Sequence, residues 1–293
     1  MLSETFRSII TAARNVFRNW QSLLLMAAVY ASLLALVYWF VSIREATLVQ
    51  VTLTFALAVI APLLFFILQA MIASGTASQP GSSASQPLKE GAVETEPLTA
   101  VLLLKRSLSS FWKLILISLP LIAVAILIAY LLSRAQNRFG LTVNEPGLTA
   151  SHALAAAPNK PPARPINWRV ALFSTLRYLS FGLFLPLAAI HLWLATVHDG
   201  LGGAVRKIAA LLARAFAPQS VLIYVIGFLV FAVVPYFLLF RTTQSSRAWL
   251  ELSLLVARLA AVFALTLFGW TITVRALARF SSSSPAQPTN EAA

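Results

Sequence analysis

Long runs of apolar residues, separated by short charged or turn-forming segments, dominate the chain. Six of these runs are long enough to cross a hydrocarbon layer about 30 Å thick as helices that rise 1.5 Å per residue. They predict spanning helices at roughly residues 21–43, 48–74, 112–133, 169–197, 219–240 and 250–276. The predicted fold class is therefore all-α, a polytopic membrane helix bundle with six transmembrane helices.

A second pattern precedes each odd-numbered span: apolar residues fall on one side at helical spacing, and basic residues fall on the other. It occurs at Leu2 to Asn19, Leu98 to Phe111 and Leu201 to Phe216. Helices of this kind lie in the membrane interface. The sequence thus predicts three interfacial amphipathic helices, each leading into a transmembrane hairpin.

The three leading segments indicate an internal repeat. Aligning Arg14, Arg106 and Arg214 places similar basic and apolar positions in register, and each is followed by an outgoing and a returning span. We predict one membrane domain over residues 1–280, with repeat units of about 1–75, 97–198 and 199–280. Any membrane hairpin with a basic inner flank would look similar, so this alternative stays open.

Three segments carry composition typical of loops. Residues 74–97 and 281–293 are rich in Ser, Pro and Gly, and residues 134–167 contain NEPG and NKPPARP. Lys and Arg are more frequent beside the span ends that share a side with the N-terminus, which predicts cytoplasmic N- and C-termini. Residues 74–97 are then a flexible cytoplasmic linker, residues 134–167 an external loop, and residues 281–293 a disordered tail.

The lead segment RNVFRNW and the triple arrangement of interfacial helix and hairpin resemble the six-span membrane domain associated with glycerophosphodiester phosphodiesterases and related bacterial membrane proteins. The resemblance covers the whole chain as a pattern of helices. It implies a lipid-adjacent, accessory or anchoring role and a place in the bacterial cytoplasmic (inner) membrane. The sequence holds no phosphodiesterase barrel, so that activity is not expected.

The amino-acid composition limits the kinds of partner and of metal site that the chain can have. Hydrophobic residues make up 59% of the chain and charged residues 11%, which is unlike a water-soluble domain. The net charge of +13 is spread over the segments between spans, so anionic lipid headgroups, and not nucleic acid, are the expected partners. The chain has no cysteine, which excludes disulfides and thiolate metal sites. No metal site and no cofactor is predicted.

Two arginines lie inside predicted returning spans. Arg177 and Arg258 are anion- or lipid-binding candidates, because placing a guanidinium in the apolar layer costs free energy unless an anion or a hydrogen-bond acceptor contacts it. The alternative is that both side chains extend to the headgroups. His191 is a candidate axial ligand for haem or a chlorophyll-type pigment, although a lone His in a span is more often a packing residue.

No catalytic residue is predicted. All nine acidic residues fall in predicted loops, tails or helix ends, and no HExxH, phosphate-binding loop or GxSxG motif occurs. The leading hypothesis is a non-catalytic membrane scaffold or accessory subunit that binds lipid or other membrane proteins. One alternative is a carrier for a lipid-like or anionic solute, with Arg177 and Arg258 facing a central path. The other is a subunit that holds a haem or pigment through His191.

Overall fold

The computed structural model describes residues 2–43, 47–77, 100–138, 168–241 and 247–283. These residues are helical almost throughout, and no strand occurs among them. The helices are α1 (Leu2–Arg18), α2 (Trp20–Ser42), α3 (Leu48–Ala77), α4 (Ala100–Arg138), α5 (Trp168–Leu179), α6 (Leu185–Arg206), α7 (Ile208–Ala215), α8 (Pro218–Phe228), α9 (Val234–Phe240) and α10 (Ala248–Ser283).

Within the described ranges, six helical stretches are long and apolar enough to cross a membrane, which confirms the predicted fold class. They are Trp20–Ser42, Leu48–Thr76, Val101–Arg138, Ala171–Arg206, Pro218–Phe240 and Trp249–Phe280. We number them as spans one to six. The fourth and fifth spans each combine two α-helices joined by a π-helical turn.

The π-helical turns, Ser180–Phe184 and Leu229–Val233, lie just before prolines at positions 186 and 235. Proline has no backbone N–H, and its ring clashes with the carbonyl four residues earlier. A helix relieves this clash by widening locally, and a π-helical turn is such a widening. Both spans therefore continue through their prolines.

The three predicted interfacial helices differ in how they join their spans. Asn19 breaks the helix between α1 and α2, with φ −105° and ψ 63°. Gly200 interrupts α6 with φ 75°, and Pro218 begins α8. The second segment contains no such residue, and α4 runs without a break from Ala100 to Arg138. The predicted interfacial helix at Leu98 to Phe111 is helical from Ala100 onward and continues into the third span, so its place in the membrane interface stays a prediction.

Parts of the predicted loops are helical. Helix α3 extends to Ala77, α4 to Arg138 and α10 to Ser283, and none of these extensions contains a proline. Residues 78–97 of the predicted linker, 139–167 of the predicted external loop and 284–293 of the predicted tail lie outside the described residues.

The chain divides into two compact units. Unit 1 comprises Met1–Ile117 with Leu187–Ala293, and unit 2 comprises Ser118–Pro186. The three repeat units of about 1–75, 97–198 and 199–280 stay a prediction.

Helix α10 is the centre of unit 1, because α1, α2, α3, α8 and α9 all contact it. Two side-chain hydrogen bonds tie it to the first hairpin. Tyr30 Oη lies 2.8 Å from Thr266 Oγ1, and Trp270 Nε1 donates to Gln69 Oε1 at 2.9 Å. Such bonds between spans favour one register, since few polar partners compete within the apolar layer.

Two glycines let α10 approach the fifth span closely. A Cβ atom at Gly227 would lie 2.0 Å from Thr273 Oγ1, and one at Gly269 would lie 2.9 Å from the Cβ of Phe231. In lipid, spans gain little from the hydrophobic effect and associate through van der Waals contact, for which small residues are needed at the crossing. The sixth span can pack on the fifth only while both positions remain glycine.

Burial in unit 1 is concentrated at the span ends that are predicted to face the cytoplasm. All residues from Leu68 to Ser74 and from residue 273 to Ala278 are buried. Val37–Ser42 and Trp249–Ala257, at the opposite ends of their spans, are exposed throughout. Because six consecutive residues cover the whole circumference of a helix, these segments, at the predicted outer ends of their spans, are exposed on every side.

We expect the Gly227→Ala substitution to destabilise unit 1 by about 1–3 kcal/mol, because the added methyl group overpacks the crossing with Thr273. Thermal unfolding in detergent, followed by tryptophan fluorescence, measures the change. The control is Gly202→Ala, since a Cβ at Gly202 would meet no atom within 4 Å. A Gly227→Ala protein that unfolds at or above the wild-type temperature would contradict the close crossing.

Candidate lipid-binding sites

Arg177 lies in unit 2 and lines a cleft of about 580 Å³ between the fourth span and the end of α4. Its side chain is exposed. The polar lining also includes Ser133, Gln136 and Tyr178. The remainder of the lining is apolar and consists of Ala129, Leu132, Phe181 and Gly182. The cleft therefore joins one fixed positive charge and several hydrogen-bonding groups to an apolar wall.

Arg258 lies in unit 1, in the outer half of α10. Its Nη1 donates a hydrogen bond to the backbone carbonyl of Arg241, the residue that follows the last turn of α9. Carbonyl groups at a helix C-terminus lack partners within the helix and carry partial negative charge, which favours a cation there. The structure thus provides a protein acceptor for one donor of Arg258, and an anion-binding role for this residue stays a prediction.

His191 is 2% exposed, and its Nε2 atom has no hydrogen-bond partner among the described residues. It lies in the inner half of the fourth span, in unit 1, within a stretch where Ile190, Leu192 and Leu194 are also buried. A macrocycle could reach Nε2 only if the side chains that bury His191 moved. The role of His191 as a haem or pigment ligand stays a prediction.

Arg275 lies near the end of the predicted sixth span, and it is only 6% exposed. Its Nε atom has no hydrogen-bond partner within the described residues. Gly75 makes room for the guanidinium, because a Cβ at this position would lie 3.0 Å from Nη2. Arg275 also lines a cavity of about 10 Å³ beside Asn19 and Thr271, which has room for about one water molecule. Sequence reasoning missed Arg275 because its burial depends on a glycine in another span.

Helix α1 has three distinct faces at 3.6 residues per turn. Thr5, Ala12 and Val16 are buried, and α1 packs on α10. Next to this buried face lies an exposed apolar stripe, which is followed by an exposed basic stripe. The apolar stripe consists of Phe6, Ile10 and Phe17, and the basic stripe of Arg7, Arg14 and Arg18. The order of the faces is therefore protein contact, apolar surface and positive charge.

The predicted site residues are divided between the two units. Arg177 belongs to unit 2, whereas Arg258 and His191 belong to unit 1. Arg258 lies in the outer half of its span, and His191 lies in the inner half of a different span. Among the described residues, no group of three or more His, Cys, Asp or Glu could hold a metal ion.

No protein-family model matches the chain, and neither a curated protein nor a solved structure does so. The resemblance to the membrane domain of glycerophosphodiester phosphodiesterases therefore stays a prediction.

We expect Arg258→Leu to lower the stability of unit 1 by about 1 kcal/mol, because it leaves the carbonyl of Arg241 without this charged donor. Arg258→Lys keeps the charge and one donor group and should recover part of the loss. Thermal unfolding of the purified variants measures both effects. Unchanged stability in Arg258→Leu would show that the contact with Arg241 contributes nothing.

Proposed function

We propose that this chain is a non-catalytic integral membrane protein that binds anionic lipid and serves as a scaffold or accessory subunit for other membrane proteins. The observation that carries the proposal is the three-faced surface of α1. Its buried face packs on α10, so the helix has a fixed orientation. Its apolar stripe and its basic stripe match the acyl-chain layer and the headgroup layer of a lipid monolayer.

The apolar stripe of α1 fits the acyl boundary, and the basic stripe fits the phosphates above it. An interfacial helix inserts its apolar face about 5–10 Å into this boundary. Each exposed Arg near an anionic surface contributes about 1 kcal/mol to the attraction. Arg7, Arg14 and Arg18 are all exposed, so anionic headgroups can approach each of them.

The bare outer segments of the spans support the second part of the proposal. Trp249–Ala257 and Val37–Ser42 expose apolar residues on all sides, and no residue within either segment is buried by the described parts of the chain. In a membrane, lipid chains or the spans of another protein must surround them. A helix that is free on every side offers a partner more contact area than one already packed on its own bundle.

The carrier and pigment hypotheses have less support. A carrier was expected to place Arg177 and Arg258 along one central path, but Arg258 contacts a carbonyl at the outer end of the fifth span. A pigment subunit needs open space beside His191, and this residue is buried. Lipid binding requires neither arrangement.

The joint substitution Arg7→Gln, Arg14→Gln and Arg18→Gln should reduce the preference of the protein for anionic lipid severalfold, because it removes the charge of α1 and keeps its apolar stripe. Spin-labelled phosphatidylglycerol and phosphatidylcholine, compared in proteoliposomes, report this preference as the ratio of lipid immobilised at the protein surface. Replacing the same residues with Lys keeps the charge and should keep the preference. An equal preference in the wild type and the Gln variant would contradict the proposal.

The proposed orientation places α1 at the cytoplasmic face of the bacterial inner membrane, with both termini inside. Single cysteines at Ser3 and Asn137, both exposed, test it in a chain that has no native cysteine. A membrane-impermeant maleimide should label Asn137→Cys in intact cells, and it should label Ser3→Cys only after the membrane is opened. The reverse labelling pattern would contradict this topology.

A further inference from the structure

We propose that the cleft of unit 2 binds one phospholipid molecule, with the lipid phosphate at Arg177 and an acyl chain along the apolar wall. This inference rests on the proposed lipid-binding function, and it assigns a second lipid contact, apart from α1, with its own ligand chemistry. All the residues that form this cleft lie within unit 2.

The size of the cleft suits part of an amphiphile. Its volume of about 580 Å³ lies within the range of about 300–1,000 Å³ that is usual for small-molecule pockets. A lipid headgroup and the first part of a chain fill such a space, whereas an inorganic anion would leave most of it empty.

The cleft is polar at one end and apolar at the other. Successive spans cross the membrane in opposite directions, so the end of α4 and the beginning of the fourth span lie on the same side. Gln136 and Arg177 lie toward that side, and Ala129 and Gly182 lie about 7–10 Å deeper at 1.5 Å per residue. The polar end of the cleft therefore lies nearer the membrane surface than the apolar end. A phospholipid of the outer leaflet is arranged in the same way, with its headgroup at the surface and its acyl chains deeper.

The charge of the cleft selects an anion. The described residues of unit 2 contain four arginines and no acidic residue, and Arg177 forms no ion pair with any described residue. A guanidinium presents paired N–H donors that match the oxygens of a phosphate. The Gln136 amide and the hydroxyl groups of Ser133 and Tyr178 add further donors at the same end.

The deep end of the cleft remains open because position 182 is a glycine. A Cβ atom at Gly182 would meet no atom within 4 Å, so the space beside the π-helical turn Ser180–Phe184 is unfilled. A large side chain at this position would project into that space without disturbing a packed contact. This property supplies a steric test of acyl-chain binding that is independent of the test of charge.

Native mass spectrometry of the purified chain, titrated with dioleoylphosphatidylglycerol, measures the binding of single lipids. Wild-type protein should bind one molecule more tightly than any further ones, and dioleoylglycerol, which has the same chains and no phosphate, should not occupy the site. Arg177→Gln should weaken this first binding step about tenfold, because one charge-assisted contact is lost. Gly182→Phe should weaken it as well, through loss of space.

The matched control is Arg169→Gln, which removes an equal charge from unit 2 at a residue that does not line the cleft and lies over the ring of Trp168. It should bind the lipid as the wild type does. If Arg177→Gln does not fold, Arg177→Lys replaces it and should weaken binding by a smaller factor.

Three results would overturn the inference: equal lipid binding by wild type and the Arg177 variant, equal binding of dioleoylglycerol, or displacement of the lipid by millimolar inorganic phosphate. The last would identify a site for free anions. If Arg177→Gln weakens the binding of the first lipid while the α1 substitutions leave the preference for anionic lipid unchanged, only the role of α1 in the proposed function is contradicted. The opposite pattern would contradict only the inference about the cleft.

Discussion

The close crossing of the fifth and sixth spans is the contact on which unit 1 depends. Gly227 and Gly269 bring the two helices near enough for Thr273 and Phe231 to touch the opposite backbone, and any Cβ atom at either glycine would prevent this approach. The position of α10 set by the crossing also determines where the other elements pack. Tyr30 and Gln69 bond to α10 from the first hairpin, and α1 rests on its inner half.

This arrangement leaves the two halves of α10 in different surroundings. The inner half is covered by other helices of unit 1, so its stability comes from van der Waals contacts and from hydrogen bonds within the protein. The outer end, Trp249–Ala257, is exposed throughout and depends on the membrane for its apolar contacts. A protein built in this way offers lipid, or the spans of a partner, a large surface at its outer end and a rigid basic surface through α1 at its inner end.

The spans were predictable because their signal is local: an apolar run of sufficient length must be helical in a bilayer. The breaks at Asn19 and Pro218 also depend on local residues. The uninterrupted course of α4 was not predicted, because an amphipathic charge pattern marks a change of environment along a helix and does not by itself mark a break in it. The candidate sites were only partly predictable. Arg177 stood out as a charge within a span, but the cleft around it requires residues of α4, and the burial of Arg275 requires Gly75. Both depend on tertiary packing, which a single sequence does not reveal.

Unit 1 packs at its inner end, whereas the outer end of the sixth span, Trp249–Ala257, is exposed to the surrounding lipid. Spin labels placed one at a time at residues 253–257 of the reconstituted chain test this arrangement, because collision with dissolved oxygen reports contact with acyl chains. We expect high oxygen accessibility at all of these positions. An accessibility that rises and falls with the 3.6-residue period of the helix would contradict it, since it would show that one face of the outer half is packed against protein.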